Sequence, residues 1–465
     1  MPDQPSLRGQ VYRSGRLLVA RQLVGTVVKL VGILVVTRII GPEAYGLFAA
    51  AVAVAAVLST VAIFGVDVHL VRSPPQDPGA EHTAFTVLLA SSLTLAGCAF
   101  VAAPVLGQWI NAPEATSPMR TIALMLPVMV LPVPARARLE RELRFGPLAG
   151  LDVAADLAVY AAAIPLAVAG AGVWAPVGGF VARHALLLTG AYRLSGYRPR
   201  LIIDREHLDD LRHFGSGYSA GKWVSVAGQL INPIVVGRLL GPVGVGHIAM
   251  TSRIIEQLGA VKQATVRLAT AAFSKLHGDR ERLRHAHAEG VLIQVMGAVP
   301  LYGAAAFAAP FILPTVFGSE WLPAVELLAL LAIAASMGTV FNLAAPILRV
   351  LGRNAPVVKL RLWQVGALLV GTMLAVPAIG VSGYGLARMA RTIPFLLVNR
   401  SLAAEFTPSY AAGVRWLAAF LPMMASAWSP AWLRPLLLLP PLLLLLIPAR
   451  RHELSQVLTR VIASN

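Results

Sequence analysis

Cysteine and charge are the two features that this sequence has least of. Its 465 residues include 1 cysteine, Cys98, so no disulfide can form within the chain. Cys98 lies in an apolar run, which predicts a buried thiol that packs as a small hydrophobe. Charged residues make up 13% of the chain, and soluble proteins usually carry about 25%. An ordinary soluble domain is therefore excluded.

Acidic residues are the scarcer of the charged types. The chain has 22 Asp and Glu against 39 Lys and Arg, which gives a formal net charge of +17. In a soluble protein such an excess would favour nucleic-acid binding. Here the positive charge is spread over many short loops between apolar segments, so no nucleic acid is expected as a partner.

Long apolar runs dominate what the sequence does contain. Hydrophobic residues make up 57% of the chain, and the mean hydropathy is +0.71. Runs of roughly 17–25 apolar residues, the length that crosses a bilayer as a helix, recur throughout. The sequence predicts an all-α membrane protein with about fourteen transmembrane helices. The predicted spans are 17–40, 44–66, 84–107, 119–135, 147–169, 172–192, 214–240, 244–270, 290–316, 322–348, 359–379, 382–402, 412–428 and 433–448.

Arginine is concentrated in alternate loops. The basic segments are 134–145, 192–214, 274–289, 349–361 and the C-terminal tail. The other side has loops such as "GPEAYG" and "GPVGVG", which hold no Lys or Arg, and its exceptions are Arg120 and Arg434. Because basic loops of membrane proteins stay in the cytoplasm, this bias places both termini on the cytoplasmic side.

One turn occurs twice. "TRIIGPEAYGLFA" is matched by "GRLLGPVGVGHIA", so that Gly41, Pro42 and Gly46 correspond to Gly241, Pro242 and Gly246, each 200 positions later. Gly-Pro breaks a helix because proline lacks the N–H and clashes with the preceding turn, and the second glycine is expected to let the link close.

The interval between the copies predicts the symmetry. An even number of predicted spans separates them, so both turns lie on the outer face, and the repeat is of the parallel kind. Two six-helix bundles related by a pseudo-two-fold axis along the membrane normal are expected, followed by two further helices. The predicted domains are an N-terminal bundle (1–195), a cytoplasmic linker (196–213), a C-terminal bundle (214–410) and a final pair of spans with a tail (411–465).

Several basic residues lie inside predicted spans, where charge is expensive and usually faces a water-filled cavity. We hypothesise that one set lines a cationic cavity that binds substrate: Arg21, Lys29, Lys222 and Arg253. Alternatively, Arg21 and Lys222 extend to the cytoplasmic surface, and Arg253 pairs with Glu256 three residues on. Span eight also holds Lys262, and the ends of spans six and twelve carry Arg183, Arg388 and Arg391.

Span five contains an acidic pair. Asp152 and Asp156 are four residues apart and share one helical face. One interpretation is a proton or cation site that couples transport to an ion gradient. The other is a structural role in which the carboxylates pair with Arg183 or Arg144.

The ordered motifs resemble a known family. "LVVTRIIGPEAYGLFA", "ERELRF", "AGAGVWAPVGG", "VVGRLLGPVGVGHIAMTSRI" and "FGSEWLPA" are similar to segments of the polysaccharide flippases in the multidrug/oligosaccharidyl-lipid/polysaccharide exporter superfamily, in the colanic-acid and exopolysaccharide branch. The resemblance covers roughly residues 10–410. It implies a bacterial plasma-membrane transporter that flips undecaprenyl-diphosphate-linked oligosaccharides by alternating access, with their diphosphate received by the cationic cavity hypothesised above. It further implies membrane lipids, a polymerase and a chain-length regulator as partners, with no cofactor, no metal and no enzymatic activity.

Two other functions remain open at this point. A cation-coupled multidrug exporter of the same superfamily would suit the Asp152–Asp156 pair, although basic intramembrane residues favour an anionic cargo. A membrane enzyme of polysaccharide assembly is the other alternative, but the sequence has no D-x-D motif, and we identify no nucleophile–base arrangement.

Overall fold

The computed structural model describes the backbone of residues 7–72, 78–276 and 278–448. Side chains are described from Val31 to Pro448, except those of residues 73–78, 216–222, 225, 261, 264, 271 and 277. The described chain is helical and contains no strand, which confirms the predicted all-α class.

The described α-helices follow one another in this order: α1 Leu7–Ile63, α2 Val66–Arg72, α3 Pro78–Trp109, α4 Thr116–Leu124, α5 Leu126–Val130, α6 Pro132–Arg141, α7 Phe145–Val168, α8 Trp174–Ser195, α9 Arg205–Ala227, α10 Gly237–Leu258, α11 Ala260–Lys275, α12 Arg280–Ile312, α13 Pro323–Phe341, α14 Ala344–Val350, α15 Asn354–Ile379, α16 Val381–Ala390, α17 Phe395–Ala403, α18 Ala411–Met424 and α19 Leu439–Leu446. Short 3-10 segments are Pro113–Ala115, Gly228–Leu230, Ser319–Trp321, Ala425–Trp428 and Arg434–Leu438, and π-helical segments are Ile231–Val236 and Leu313–Phe317.

The chain is a multi-pass membrane protein. Among the described residues, 7 helical segments are long and apolar enough to cross a bilayer, and a bent pair, Pro113–Leu124 with Leu126–Arg141, raises the number to 8. The other predicted core spans coincide with helices that are shorter, more polar or joined to a neighbour. The last apolar helix, Arg434–Leu446, is shorter than these segments. The total of fourteen stays a prediction.

The chain forms two compact units. One, called here the C-terminal unit, contains Met1–Val31, Met250–Gln364 and Tyr384–Asn465. The other, the N-terminal unit, contains Gly32–Ala249 and Val365–Gly383. These boundaries differ from the bundles predicted from sequence, whose division at 196–213 stays a prediction.

Both predicted Gly-Pro breaks are present. Gly41 has φ 75° and ψ 174° inside α1, and Gly241 has φ 66° and ψ −168° inside α10. A side chain at positive φ meets the neighbouring carbonyl, so glycine is the residue that adopts this geometry without strain. The same break therefore interrupts both helices at equivalent positions.

Close helix packing depends on small residues. Helices α7 and α8 form one of the most extensive pairs in the N-terminal unit. A Cβ at Gly179 would lie 2.6 Å from the carbonyl oxygen of Val159 and 3.1 Å from the Cβ of Ala163. Glycine and alanine thus bring the two backbones together, as is usual between transmembrane helices.

Cys98 corrects one expectation. Its side chain is exposed on α3, whereas its apolar surroundings in the sequence predicted burial. The physical reason is that a membrane helix can turn apolar residues outward to lipid, so an apolar run does not specify which of its members face the protein interior.

The linker is anchored to the beginning of α3. The Ile202 N–H donates to Thr86 Oγ1 (3.1 Å), and the Asp204 N–H donates to Thr83 Oγ1 (3.0 Å). Asp204 then caps α9 by accepting the Glu206 N–H at 3.0 Å. Because α9 runs without interruption to Ala227, the end of the predicted linker and the beginning of predicted span seven are one helix.

Candidate functional site

A cavity of about 280 Å³ lies within the C-terminal unit. Among the described residues, four basic side chains line it: Lys262, Arg361, Arg388 and Arg391. All four are half-buried. We call this space the cationic cavity and these residues its basic cluster.

The cavity lies where helices break. Helix α10 ends at Leu258 and α11 begins at Ala260, and Gly259 between them is one of the lining residues. A Cβ at Gly259 would lie 2.8 Å from the hydroxyl oxygen of Tyr302, which also lines the cavity. The glycine therefore lets a buried tyrosine hydroxyl approach the helix break.

Two further breaks contribute to the same wall. Asn342, in the turn between α13 and α14, lines the cavity. Residues 391–394 interrupt the predicted twelfth span between α16 and α17. In that interruption Thr392 Oγ1 donates to the Met389 carbonyl at 2.7 Å. Non-helical backbone at membrane depth is tolerated where it lines a polar cavity, and transporters build substrate sites from such discontinuous helices.

The electrostatic balance of the cavity is strongly positive. Glu256 is the one acidic residue among the described residues that line it. Within the described side chains, no member of the basic cluster makes an ion pair, and Arg361 instead donates to Gln364 Oε1 at 3.2 Å. The charges of Arg388, Arg361 and Arg391 all act repulsively on the Lys262 ammonium. Cationic groups held together without a carboxylate partner can bind a polyvalent anion.

The sequence-predicted basic set is only partly visible. The side chains of Arg21, Lys29 and Lys222 lie outside the described residues. Arg253 lies on α10 with its side chain exposed and is not among the residues that line the cavity. Among the described side chains it forms no ion pair with Glu256, so the alternative i, i+3 pair is absent. A role for these four residues in substrate binding stays a prediction.

The acidic pair of span five is neutralised by arginines. Both Asp152 carboxylate oxygens accept from the Arg136 guanidinium, at 2.9 and 3.2 Å. Asp156 lies 3.4 Å from Arg183, one of the two partners expected from sequence, whereas Arg144 pairs with Glu142. These contacts within the N-terminal unit fit the structural interpretation of the pair, and ion coupling stays a prediction.

The two repeat turns contact each other within the N-terminal unit. Gly41 and Gly241 supply the breaks, but Gly46 and Gly246 do not have the positive φ of a turn glycine. A Cβ at Gly46 would overlap the Pro242 carbonyl oxygen, and a Cβ at Gly246 would overlap that of Pro42. The second glycines thus permit close backbone approach, which corrects the expectation that they close the link.

The basic cluster was only partly recognisable in the sequence. Lys262, Arg388 and Arg391 stood out as charges within or at the end of spans, whereas Arg361 was counted among the cytoplasmic loop residues. The available signal was the coincidence of these charges with potential helix breakers, Gly259 and Pro394. Their convergence joins segments more than a hundred residues apart, which no local pattern indicates.

A family model described as "Polysaccharide biosynthesis protein" matches residues 35–326. The chain belongs to this family. Its sequence is 26% identical over 329 residues to the succinoglycan biosynthesis transport protein ExoT of Rhizobium meliloti (strain 1021), covering 70% of this chain and 66% of ExoT. It is 23% identical over 383 residues to the lipopolysaccharide biosynthesis protein WzxC of Escherichia coli (strain K12), covering 80% of this chain and 74% of WzxC.

Solved structures share the fold of this family member. The lipid II flippase MurJ in an inward closed conformation has a TM-score of 0.72 at 13% identity, covering 95% of this chain and 99% of MurJ. An inward-facing multidrug resistance transporter of the MATE family and MOP superfamily has a TM-score of 0.57 at 16% identity, covering 83% of this chain and 98% of its own. At these identities the likeness shows the fold alone.

Proposed function

We propose that this family member transports a lipid-linked oligosaccharide across the bacterial plasma membrane for surface polysaccharide synthesis, and that the cationic cavity receives the diphosphate of its cargo. The observation that carries the proposal is a basic cluster that faces a cavity without acidic partners among the described side chains. The names of the relatives support it, since ExoT is a succinoglycan transport protein and WzxC serves lipopolysaccharide synthesis.

The chemistry explains why such a cargo would need these residues. A diphosphate that leaves the headgroup layer loses its hydration, which is costly for a multiply charged group. Arg and Lys donors replace the lost water with charge-assisted hydrogen bonds, and arginine presents a planar fork that matches phosphate oxygens. Binding at a position where helices break lets both side chains and backbone groups serve as ligands.

Complementation of a strain that lacks its polysaccharide flippase tests the proposal. Unmodified protein should restore surface polysaccharide. Each of four cavity variants should reduce the amount of surface polysaccharide at unchanged membrane levels of the protein. These variants are Lys262→Gln, Arg361→Gln, Arg388→Gln and Arg391→Gln. Arg280→Gln is the matched control, because Arg280 lies outside the cavity and is 73% exposed beside Glu405. Full activity of all four cavity variants would overturn the proposal.

Arg253→Gln and Lys29→Gln provide a second comparison. If the sequence-predicted set carries the diphosphate, these variants should lose as much polysaccharide as the cavity variants. If the cavity alone carries it, they should retain activity. Drug susceptibility of the deletion strain is measured in parallel, since a multidrug exporter would change susceptibility without changing the glycan.

A further inference from the structure

The linker between α8 and α9 carries exposed apolar side chains beside arginines. Residues 196–204 form no helix, and their side chains other than that of Tyr197 are exposed. Three of them are consecutive and large: Leu201 (69% exposed), Ile202 and Ile203 (59% exposed). Arg198 and Arg200 directly precede these three. We call residues 198–203 the exposed linker segment.

The backbone of this segment is fixed to the N-terminal unit at both ends. Before it, the buried Tyr197 donates its hydroxyl to the Glu81 carbonyl at 3.0 Å. Near its end, Thr86 Oγ1 accepts the Ile202 N–H at 3.1 Å and lies 2.9 Å from the Ile202 carbonyl oxygen. Both the donor and the acceptor of Ile202 are therefore engaged, and the apolar side chains are held outward by an anchored backbone.

The segment is attached at the level where a helix enters the bilayer. Helix α3 provides the apolar crossing segment Gly79–Trp109, and the span predicted for it from sequence begins at residue 84. Thr83 and Thr86, the two attachment points of the linker on α3, lie on either side of residue 84. We therefore expect the segment at the boundary between lipid headgroups and acyl chains, where arginine reaches phosphate and aliphatic side chains enter the apolar layer.

A second pair of exposed apolar side chains lies at the same end of the N-terminal unit. The turn between α6 and α7 follows Arg141, which pairs with Glu81 near the beginning of α3. Leu143 and Phe145 in this turn are exposed, and Phe145 begins the crossing segment Phe145–Val168. Two separate stretches of chain thus present apolar side chains at one end of the unit, as expected of a surface that contacts lipid.

The charge around the exposed linker segment selects the kind of lipid. Residues 193–205 contain one acidic residue, Asp204, which caps α9 and lies 3.3 Å from His207. Guanidinium groups without a carboxylate partner attract anionic headgroups and bind phosphate oxygens. Within the described part of the chain, the exposed arginines of this stretch form no ion pair: Arg193, Arg198, Arg200 and Arg205.

We propose that the exposed linker segment is a binding site for an anionic phospholipid of the cytoplasmic leaflet. Arg198 and Arg200 hold the phosphate, and Leu201 and Ile203 lie among the acyl chains. This site belongs to the N-terminal unit and is separate from the cationic cavity, which lies within the C-terminal unit. Because α9 begins two residues after Ile203, the bound lipid fixes the beginning of that helix at the membrane surface.

Fluorescence quenching by brominated lipids tests the proposal. Full-length Leu201→Cys protein in a Cys98→Ala background is labelled with a polarity-sensitive maleimide dye and placed in nanodiscs of equal parts phosphatidylglycerol and phosphatidylcholine. Brominated acyl chains on phosphatidylglycerol should quench the dye about twofold more than those on phosphatidylcholine.

The control for this measurement is a dye on Glu281→Cys, an exposed position at the beginning of α12 without exposed large apolar neighbours among the described residues. Either brominated lipid should quench it weakly. A dye on Leu201→Cys that reports water, as it would if a protein partner occupied the segment, would overturn the proposal. Equal quenching of that dye by the two lipids would also overturn it.

Removal of charge in the same assay tests the arginines. Arg198→Gln combined with Arg200→Gln should abolish the preference for phosphatidylglycerol. The matched control, Arg282→Gln combined with Arg284→Gln, removes the same charge from exposed residues at the beginning of α12 and should keep the preference. An unchanged preference in the linker variant would refute the site. The assay uses no cargo, so a failure of the proposed transport function would be seen separately in the complementation experiment.

Discussion

At the scale of the residue, Glu81 shows how this protein holds a carboxylate away from water. Its side chain is buried at the beginning of α3 and forms an ion pair with Arg141, which is also buried. Arg138 lies 3.9 Å away and is 40% exposed. The Tyr197 hydroxyl donates to the Glu81 backbone carbonyl at 3.0 Å, and burial raises the pKa of Tyr197, so this donor stays protonated.

The two arginines should differ sharply in their contribution to stability. Arg141→Ala leaves a buried carboxylate without its nearest partner, a change that typically costs about 3–5 kcal/mol. Arg138→Ala removes a longer, more exposed contact that is worth about 1 kcal/mol or less. Thermal unfolding of the purified protein in detergent measures both. Equal effects of the two substitutions would contradict the assignment of Arg141 as the principal partner.

At the scale of the element, the helices are shaped by their breaks. Gly41 and Gly241 occupy backbone conformations that an L-residue adopts only with strain. Gly41→Ala and Gly241→Ala should each destabilise the protein by about 1–2 kcal/mol. Gly97→Ala, inside α3 with open space around its Cβ, should be neutral or stabilise by up to about 1 kcal/mol. The unfolding midpoints of the three variants in detergent measure these changes. They show whether the loss of stability depends on the position of the glycine or only on removing a glycine.

The interruption between α16 and α17 is the second element whose role can be tested. Pro394 closes the turn 391–394, which brings Arg391 and Thr392 to the cavity wall. Pro394→Ala allows the helix to continue, and the changed helical register should reduce export at normal membrane levels. Pro377→Ala is the control, because Pro377 lies within the continuous helix α15 and does not line the cavity. Equal export by both variants would argue against a role for the break.

At the scale of the whole molecule, the distribution of arginine predicts which loops face the cytoplasm. In a Cys98→Ala background, a cysteine at Glu114 should react with an impermeant maleimide in intact cells, since this exposed residue follows the third predicted span on the outer side. A cysteine at Arg200, exposed in the linker, should react only after permeabilisation. The reverse pattern would invert the predicted topology.

Local patterns were sufficient wherever one property of a residue decides its structure. The helix breaks at Gly41 and Gly241 were predictable, because proline lacks the N–H and clashes with the preceding turn. The role of Gly46 was not, since the obstacle to a Cβ there is a carbonyl group from a turn 200 positions away. The predicted burial of Cys98 was wrong for a related reason, because apolar residues suit both the lipid and the protein interior.

The amino-acid sequence by itself determined the helical membrane class, the two Gly-Pro breaks and the family, because hydrophobic length, proline chemistry and ordered motifs are properties of short segments. Only the tertiary structure decided which cations share a cavity and which glycines touch. Lys262, Arg361 and Arg388 belong to separate helices, and their side chains meet only after those helices pack. Long-range contacts of this kind depend on where each helix bends and how it is rotated about its axis. Packing against the neighbouring helices determines both.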